Sequence, residues 1–158
     1  MVVKKWPGPS YVARLTFNAP SKFVYEWCTD YTPQDAKLEG GKYSRKIVER
    51  SARQVIYEDL EESKDGGWFW SHHVVRLSPP NHWHSESFGS HREYSLDYKL
   101  STLSGDRTQL VLTARRRPTS IGGKNPKAGP WARRVERDWG KFRRVLERDL
   151  KRIRRGRR

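Results

Sequence analysis

The sequence predicts an α+β domain in which one antiparallel sheet of seven strands curls around a single long C-terminal helix. Three observations support this prediction. Apolar and polar residues alternate along seven segments, as they do in strands that bury one face. Between the first and second segments lie two short stretches with the capping and proline signals of helices. Residues 131–155 then repeat apolar residues every third or fourth position, which predicts a helix long enough to cover the apolar face of the sheet.

The first strand and the two short helices are predicted near the start of the chain. Residues 11–17 alternate in polarity and predict the strand. Asn18 is a suitable N-cap, and Pro20 a suitable early residue, for a helix that ends near Asp30. Residues 32–41, TPQDAKLEGG, predict a second short helix that the Gly-Gly pair ends.

Six further strands follow, and turn-forming residues separate most of them. The predicted strands are Lys42–Arg50, Arg53–Leu60, Trp68–Leu77, His82–Phe88, Arg92–Leu100 and Arg107–Arg115. The loop SPPN is predicted to join two of them, and Gly89-Ser90 predicts a two-residue turn of type II′. These short connections predict antiparallel pairing between strands that follow one another in the chain.

The long helix combines an apolar stripe with a strongly basic face. Its apolar residues are Trp131, Val135, Trp139, Phe142, Leu146, Leu150 and Ile153. The other positions are mostly Arg and Lys, several of which have acidic neighbours four residues away. We expect one domain over residues 1–158, in which the basic tail 154–158 frays.

The positive charge of the chain is concentrated at this helix. The net charge is +15, and residues 131–158 contain thirteen Lys and Arg against four Asp and Glu. A field of this sign attracts nucleic acid, anionic lipid headgroups or acidic partners, although the interleaved acids favour an ordinary solvated face. The residues considered for a weak contact with nucleic acid or an anionic membrane are Arg134, Arg137, Lys141, Arg144 and Arg148.

Several other functional classes are not indicated. No apolar run is long enough to cross a bilayer, and no secretory signal follows the N-terminal lysines. The lone cysteine, Cys28, is expected to be a core side chain in a helix, and it fits a reducing, cytoplasmic location. Metal-ligand spacing occurs at His73, His82, His84 and Glu86. All four are predicted on the outer face of the sheet, so neither a metal nor another cofactor is expected.

The order of elements and several short motifs resemble a known superfamily. Its first strand and first helix are matched by Phe17-Asn18-Ala19-Pro20, by Val24-Tyr25-Glu26-Trp27 and by Asp30. Later strands are matched by VVRLSPP (Val74–Pro80) and YKLSTLSGDRTQLVLTARRRP (Tyr98–Pro118). The glycine-rich approach to its last helix is matched by IGGKNPKAGP, followed by the Trp131–Arg155 helix. In these features the chain is similar to the SRPBCC superfamily, the START-like or helix-grip proteins, and within it to the polyketide cyclase/dehydrase and lipid-transport group.

The resemblance implies a helix-grip fold that binds a hydrophobic small molecule or lipid between the sheet and the last helix. It also implies, as an alternative, an enzyme of the polyketide cyclase/dehydratase kind. The arginine content of the last helix departs from the pattern of the superfamily. In this fold we expect Phe23, Val24 and Trp27 to pack into one end of the curled sheet.

The strand pairing that the turns imply predicts which side chains face this space. Trp83 is expected to pair with Arg76 and Leu96, and Tyr98 with Leu110. The predicted inner face is Trp70, His72, Val74, Trp83, Ser85, Ser87, Tyr94, Leu96, Tyr98, Leu110, Leu112 and Ala114. The ligand-binding candidates are Trp70, His72, Trp83, Ser85, Tyr94, Leu96, Tyr98, Leu110, Leu112, Trp139 and Phe142. For an enzyme, the acid–base candidates are His72, Tyr94 and Tyr98.

Overall fold

The computed structural model describes residues 8–41, 43–90, 92–118 and 124–156, and its elements confirm the predicted α+β class. The strands are β1 (Ser10–Phe17), β2 (Tyr43–Arg50), β3 (Gln54–Glu62), β4 (Trp68–Ser78), β5 (His82–Gly89), β6 (Arg92–Leu103) and β7 (Arg107–Pro118). The helices are α1 (Ser21–Cys28), α2 (Asp35–Glu39) and α3 (Ala128–Gly156).

The seven strands form one antiparallel sheet in the order β1-β7-β6-β5-β4-β3-β2. Each strand from β2 to β7 pairs with its neighbour in the chain, and β1 joins the free side of β7. The apolar residues of alternate positions form the buried inner face, with Val55, Val75, Trp83, Leu100 and Leu110 at its centre. The strands β1 and β2 are therefore the two edges of the sheet.

The short helices begin and end where the backbone requires. Pro20 occupies the N-cap position of α1, with φ −63° and ψ 145°, and its side chain makes no capping hydrogen bond. The prediction that Asn18 caps this helix is therefore wrong, and its N–H donates instead to Glu147 Oε1 at 2.8 Å. The helix α2 ends at Gly40, whose φ of 66° lies in the left-handed region that suits glycine.

The long helix α3 lies along β1, the strand with which it makes most of its sheet contacts. Trp131, Leu146 and Leu150 are buried on this side, and the Trp131 ring centroid lies 5.2 Å from that of Tyr11. Burial of each such side chain stabilises the fold by about 1.5–3 kcal/mol before conformational entropy is subtracted. Because α3 lies at one edge, the concave face between β6 and β3 is left partly uncovered.

Two carboxylates of α3 also protect the open edge of β1. Glu136 Oε1 accepts a hydrogen bond from the Arg14 N–H at 3.4 Å, and Glu147 Oε1 accepts the one from Asn18. Unpaired edge N–H groups invite pairing with another chain. The acids that interrupt the basic face of α3 therefore have a structural role at this edge.

The helix is longer than predicted at its start. It begins at Ala128 instead of Trp131 and continues to Gly156. Residues 154–156 of the basic tail are thus helical, while 157 and 158 lie outside the described residues.

The register of β4 differs from the prediction by one residue. The strand extends to Ser78, which pairs with His82, so the connection contains three residues and not four. Because side chains alternate between faces, a shift of one residue moves the whole strand to the opposite face. The prediction that Trp70, His72 and Val74 face inward is therefore wrong. The residues of β4 that face inward are Phe69, Ser71, His73, Val75 and Leu77.

The two later hairpins differ from the prediction by two residues, which leaves the faces unchanged. Leu96 lies opposite Ser85 instead of Trp83, and Tyr98 lies opposite Leu112 on its other side. The centre of each turn lies one residue later than predicted, so every residue pairs with a partner two positions away from the predicted one. Residues two positions apart in a strand lie on the same face. The inner-face prediction for β5, β6 and β7 is therefore confirmed, although the individual partners are not.

Candidate functional site

Three neighbouring cavities lie between the inner face of the sheet and the helices. The main cavity, of about 590 Å³, is bordered among others by Tyr31, Tyr57, Trp83 and Phe142. The helix-side cavity, of about 430 Å³, is bordered by Leu112, Trp131 and Val135 among others. The sheet-end cavity, of about 370 Å³, is bordered by Tyr43, Phe69 and Ser71 among others. Glu39, the last residue of α2, borders all three cavities.

The walls of the main cavity are largely aromatic. Trp83 and Tyr98 stack with their ring centroids 4.8 Å apart and an interplanar angle of 7°. Trp139 of α3 lies across from them, with its ring centroid 6.0 Å from that of Tyr98. Such a wall offers flat apolar surfaces with a few hydroxyl groups, which suits a mostly apolar ligand that a small number of hydrogen bonds orient.

Nine of the eleven predicted ligand-binding residues border a cavity. They are Trp70, Trp83, Ser85, Tyr94, Leu96, Tyr98, Leu112, Trp139 and Phe142. Trp70 does so from the outer face of β4, where its ring centroid lies 6.3 Å from that of His72. Leu110 borders none of the three cavities, because it is fully buried in the core beside Leu15 of the adjacent strand β1.

His72 also borders none of the three cavities. It lies on the outer face of β4, and its Nδ1 lies 3.3 Å from Glu58 Oε1. The one-residue shift of β4 explains the error. His72 therefore has no access to a molecule held inside, and acid–base chemistry by His72 is ruled out.

His73 faces inward, as had been predicted for His72. It borders the main and the sheet-end cavities. Its ring stacks on Tyr57 with the centroids 4.4 Å apart, and its Nε2 lies 2.9 Å from Ser71 Oγ. Burial lowers the pKa of His73 to about 4, against the opposing effect of Asp59. The imidazole is therefore uncharged at neutral pH.

A buried ion-pair cluster forms the wall behind His73. Arg45, whose side chain is 4% exposed, holds Asp59 with two hydrogen bonds of 2.8 Å, from Nε and from Nη2. Its Nη1 donates to Asp35 Oδ2 at 2.8 Å, and its guanidinium lies 4.1 Å from the ring centroid of Tyr57. Since Asp35 belongs to α2, this guanidinium fastens that helix to the sheet. Glu39 Oε1 lies further away, 3.8 Å from Arg45 Nη2.

The connection between α1 and α2 forms the rim of the main cavity. Tyr31 has a φ of 36°, an uncommon value for a residue other than glycine, and its ring stacks on Tyr57 with the centroids 5.4 Å apart. Arg50 donates hydrogen bonds to the carbonyl oxygens of Asp30 and Tyr31. Burial and the nearby Asp35 carboxylate raise the pKa of Asp30 to about 6. The rim therefore carries a carboxyl whose pKa lies above its ordinary value.

The buried phenols of this site remain protonated at physiological pH. Burial raises the pKa values of Tyr57 and Tyr98, and the neighbouring charges have smaller effects. Of the predicted acid–base candidates, Tyr98 borders the main and helix-side cavities, and Tyr94 borders the helix-side and sheet-end cavities. The protonated hydroxyl of Tyr98 can donate a hydrogen bond to a bound molecule.

The sequence-based prediction missed the cluster around Arg45. The signal that would have revealed it is the alternation of Tyr43, Arg45 and Ile47 in β2 against Val55 and Tyr57 in β3. This pattern places a charged residue among inward-facing apolar positions. An inward arginine on an edge strand calls for carboxylate partners, which β3 and α2 supply.

The basic residues of α3 do not form one uninterrupted solvent-facing surface. Arg134 and Lys141 border the helix-side cavity, and Arg148 borders the main cavity. Arg137 and Arg144 are exposed. Part of the basic surface that was considered for a weak contact with nucleic acid or an anionic membrane therefore lies beside the cavities.

The remaining histidines pair with acids on the outer face of the sheet. His82 Nε2 lies 2.8 Å from Asp97 Oδ1, and His84 Nδ1 lies 3.4 Å from the same oxygen. Among the described residues, no group of three or more His, Cys, Asp or Glu has an arrangement that could hold a metal ion. Cys28 packs against the core at the end of α1, and burial raises the pKa of its thiol. None of the helices in the described ranges combines the length and apolarity that crossing a bilayer requires.

Comparison with known proteins identifies the fold. No protein-family model and no curated protein sequence matches the chain. Among solved structures, the Zhui aromatase/cyclase from Streptomyces sp. R1128 matches with a TM-score of 0.64 and 19% identity, over 91% of this chain and 94% of that one. A START superfamily protein from Mycobacterium smegmatis matches with a TM-score of 0.61 and 15% identity, over 92% and 99% of the two chains.

A third solved structure, Ara h 8.0201, matches with a TM-score of 0.63 and 14% identity, over 88% of this chain and 95% of that one. All three matches extend over nearly the whole of both chains. They agree with the curved seven-stranded sheet, the two short helices and the long final helix described above. The chain therefore has the helix-grip fold of the START-like, or SRPBCC, proteins.

Proposed function

We propose that the protein binds a hydrophobic small molecule or lipid in the space between the sheet and α3. The observation that carries this proposal is the main cavity, which has a volume of about 590 Å³ and a largely aromatic wall. A pocket of this size and makeup accepts a drug-sized apolar molecule. Solved structures with the same fold include a START superfamily protein and an aromatase/cyclase, which is consistent with a role in handling apolar molecules.

A fluorescence titration tests this proposal. The probe 1-N-phenylnaphthylamine becomes fluorescent in apolar surroundings, and we expect saturable binding with one molecule per chain. Ser85 is buried and borders the main cavity, so the Ser85→Phe substitution places a ring in the space that the probe needs. We expect this variant to bind the probe about tenfold more weakly or worse, which corresponds to a loss of at least about 1.4 kcal/mol.

The matched control is Ser101→Phe, which adds the same ring to an exposed position on β6. This variant should bind the probe as the unmodified protein does. Fluorescence that rises without saturation, or equal affinity in the Ser85 and Ser101 variants, would contradict the proposal.

A second candidate function is acid–base catalysis on a polyketide-like substrate. The observation that favours it is the position of His73, an uncharged imidazole that borders the main cavity together with the protonated hydroxyl of Tyr98. The test is a reconstituted polyketide synthase with and without this protein. We expect the protein to change the pattern of cyclised products and His73→Phe to abolish the change while it still binds the naphthylamine probe. Identical product patterns with and without the protein would exclude this candidate.

A further inference from the structure

The sheet-end cavity differs in charge from the molecule as a whole. Its described lining includes the carboxylates of Glu39, Asp59 and Glu61 but neither lysine nor arginine. The whole chain, in contrast, carries a net charge of +15. The remaining ionisable base of this lining, His73, is uncharged at neutral pH because it is buried. A recess rich in carboxylates therefore lies at one end of the sheet in a strongly basic protein.

The nearby guanidinium of Arg45 pairs with Asp59 and so neutralises only one of these acids. Arg45 donates its short hydrogen bonds to Asp35 and Asp59, while Glu39 lies 3.8 Å from it. One positive charge thus faces three carboxylates. Glu39 is partly withdrawn from water, which raises its pKa. A carboxylate in such a position gains stability from a second cation.

The same recess offers aromatic faces. The inward-facing rings that border it belong to Tyr43, Phe69 and Tyr94. Ring faces attract ammonium groups through their quadrupoles, and this attraction grows when water is excluded. Carboxylates and ring faces on one concave wall are the surroundings in which an organic cation is favoured over an anion.

We propose that the ligand of this protein carries a positively charged amine, which lies in the sheet-end cavity while its apolar body occupies the main cavity. This inference rests on the binding function proposed above. Glu39 and His73 border both cavities, so one molecule can extend from one to the other. A fatty acid or another apolar anion would place its charge against Glu39, Asp59 and Glu61, and it is disfavoured there.

The helix-side cavity has no such excess of acids. Arg134 and Lys141 border it together with Glu39 and Asp138, so its positive and negative charges balance. A ligand held in that cavity would therefore show no preference for a cation. The charge preference of binding distinguishes the two cavities even while the natural ligand is unidentified.

The experiment compares three indoles of nearly equal size by isothermal titration calorimetry at pH 7.5. They are tryptamine, which is a cation, tryptophol, which is neutral, and indole-3-propionic acid, which is an anion. We expect tryptamine to bind about tenfold more tightly than tryptophol, because a charge-assisted hydrogen bond to a carboxylate adds to the burial of the ring. The propionic acid should bind more weakly than tryptophol.

Variants of the acidic wall test whether it causes this preference. In the double variant Glu39→Gln/Glu61→Gln, tryptamine should bind no more tightly than tryptophol. In Glu61→Gln alone, the preference for tryptamine should be reduced. The affinity for tryptophol should be unchanged in both variants. Both side chains are at least partly exposed, so these variants are expected to fold, and circular dichroism checks this. The control Glu62→Gln removes a charge from the neighbouring exposed position on β3 and should keep the preference.

The outcomes separate this inference from the binding function. The inference of a cationic ligand would be overturned, and the binding function kept, by either of two results. One is tighter binding of the propionic acid than of tryptamine. The other is a preference for tryptamine that survives in the folded double variant. If neither the three indoles nor the naphthylamine probe bound, the proposed function would fail together with it.

Discussion

At the residue scale, Arg45 connects α2 to the sheet and so shapes the cavity walls. Its guanidinium is almost fully buried and is shared between Asp35 of α2 and Asp59 of β3. Loss of one partner from a buried ion pair leaves the other charges without compensation, which costs more than the pair itself contributes. The cluster therefore makes the position of α2, and with it the position of Glu39, sensitive to a single side chain.

We expect Arg45→Met to lower the free energy of unfolding by about 3–5 kcal/mol, because Asp35 and Asp59 lose their partner inside the protein. Urea denaturation measures this change. The control is Lys46→Met on the same strand, where an exposed side chain is changed and an effect within about 0.5 kcal/mol is expected. A loss below about 1 kcal/mol in the Arg45 variant would show that the cluster does not stabilise the fold as described.

His73 should make stability depend on pH. Its folded pKa of about 4 lies below the ordinary value of 6.5, so the folded state disfavours the charged imidazole. The stability that His73 contributes is complete above pH 6.5 and is lost as the pH falls towards 4. By linkage, this loss amounts to about 3 kcal/mol.

The pH dependence is measured as the free energy of unfolding of wild type and His73→Phe between about pH 7 and pH 4. Wild type should lose about 3 kcal/mol more than the variant over this range. Asp30, whose raised pKa of about 6 acts in the opposite direction, is present in both proteins and cancels in the comparison. Parallel curves for the two proteins would contradict the buried position of His73.

At the scale of elements, the position of α3 decides where a cavity can exist. The helix packs closely on β1 through Trp131, Leu146 and Leu150, and two of its acids bind backbone N–H groups of β1 and the residue that follows it. The backbone of α3 therefore stays away from the concave face between β6 and β3. Aromatic side chains from both sides extend into the space that is left. In the sequence, the acids among the basic residues of α3 indicated an ordinary solvated face. In the structure, two of them help to attach α3 to β1.

A glycine in the middle of α3 offers a test of the helix itself. Gly140 is buried, yet a methyl group at this position would meet only the Arg144 side chain, at 3.9 Å. We expect Gly140→Ala to stabilise the protein by about 0.5–1 kcal/mol, because alanine loses less conformational entropy in a helix. Thermal and urea denaturation measure this gain.

The contrasting variant is Gly89→Ala at the end of β5. There the new methyl group would overlap the carbonyl oxygen of Trp70 and the backbone of Ser71, so the strand must move. A loss of about 1–3 kcal/mol or more is expected. If Gly140→Ala destabilised the protein as much as Gly89→Ala, the packing of α3 described here would be incorrect.

At the scale of the whole molecule, positive and negative charges are concentrated in different places. Lysine and arginine predominate on the exposed side of α3, whereas carboxylates and aromatic rings border the sheet-end cavity. The elements and their order were predictable because each depends on a local pattern of alternation, helical spacing or turn residues. The inward direction of Tyr94, Leu96 and Tyr98 was also predictable. The predicted pairing of their strand was wrong by two residues, and a shift of two residues leaves each side chain on the same face.

What escaped prediction depends on contacts between distant segments. Whether three or four residues connect β4 to β5 is a small difference in local preference, yet it decides whether His72 or His73 faces inward. The cluster of Arg45 required the register of β2 on β3 and the docking of α2, and neither follows from local pattern. The acidic recess next to the main cavity is a consequence of these same contacts.

A crystal structure of the complex with 1-N-phenylnaphthylamine tests the central claim most directly. We predict electron density for the probe in the main cavity, between the stacked rings of Trp83 and Tyr98 and the α3 residues Trp139 and Phe142. Density for the probe on the outer face of the sheet or along the basic side of α3, with the main cavity closed by side chains, would contradict it.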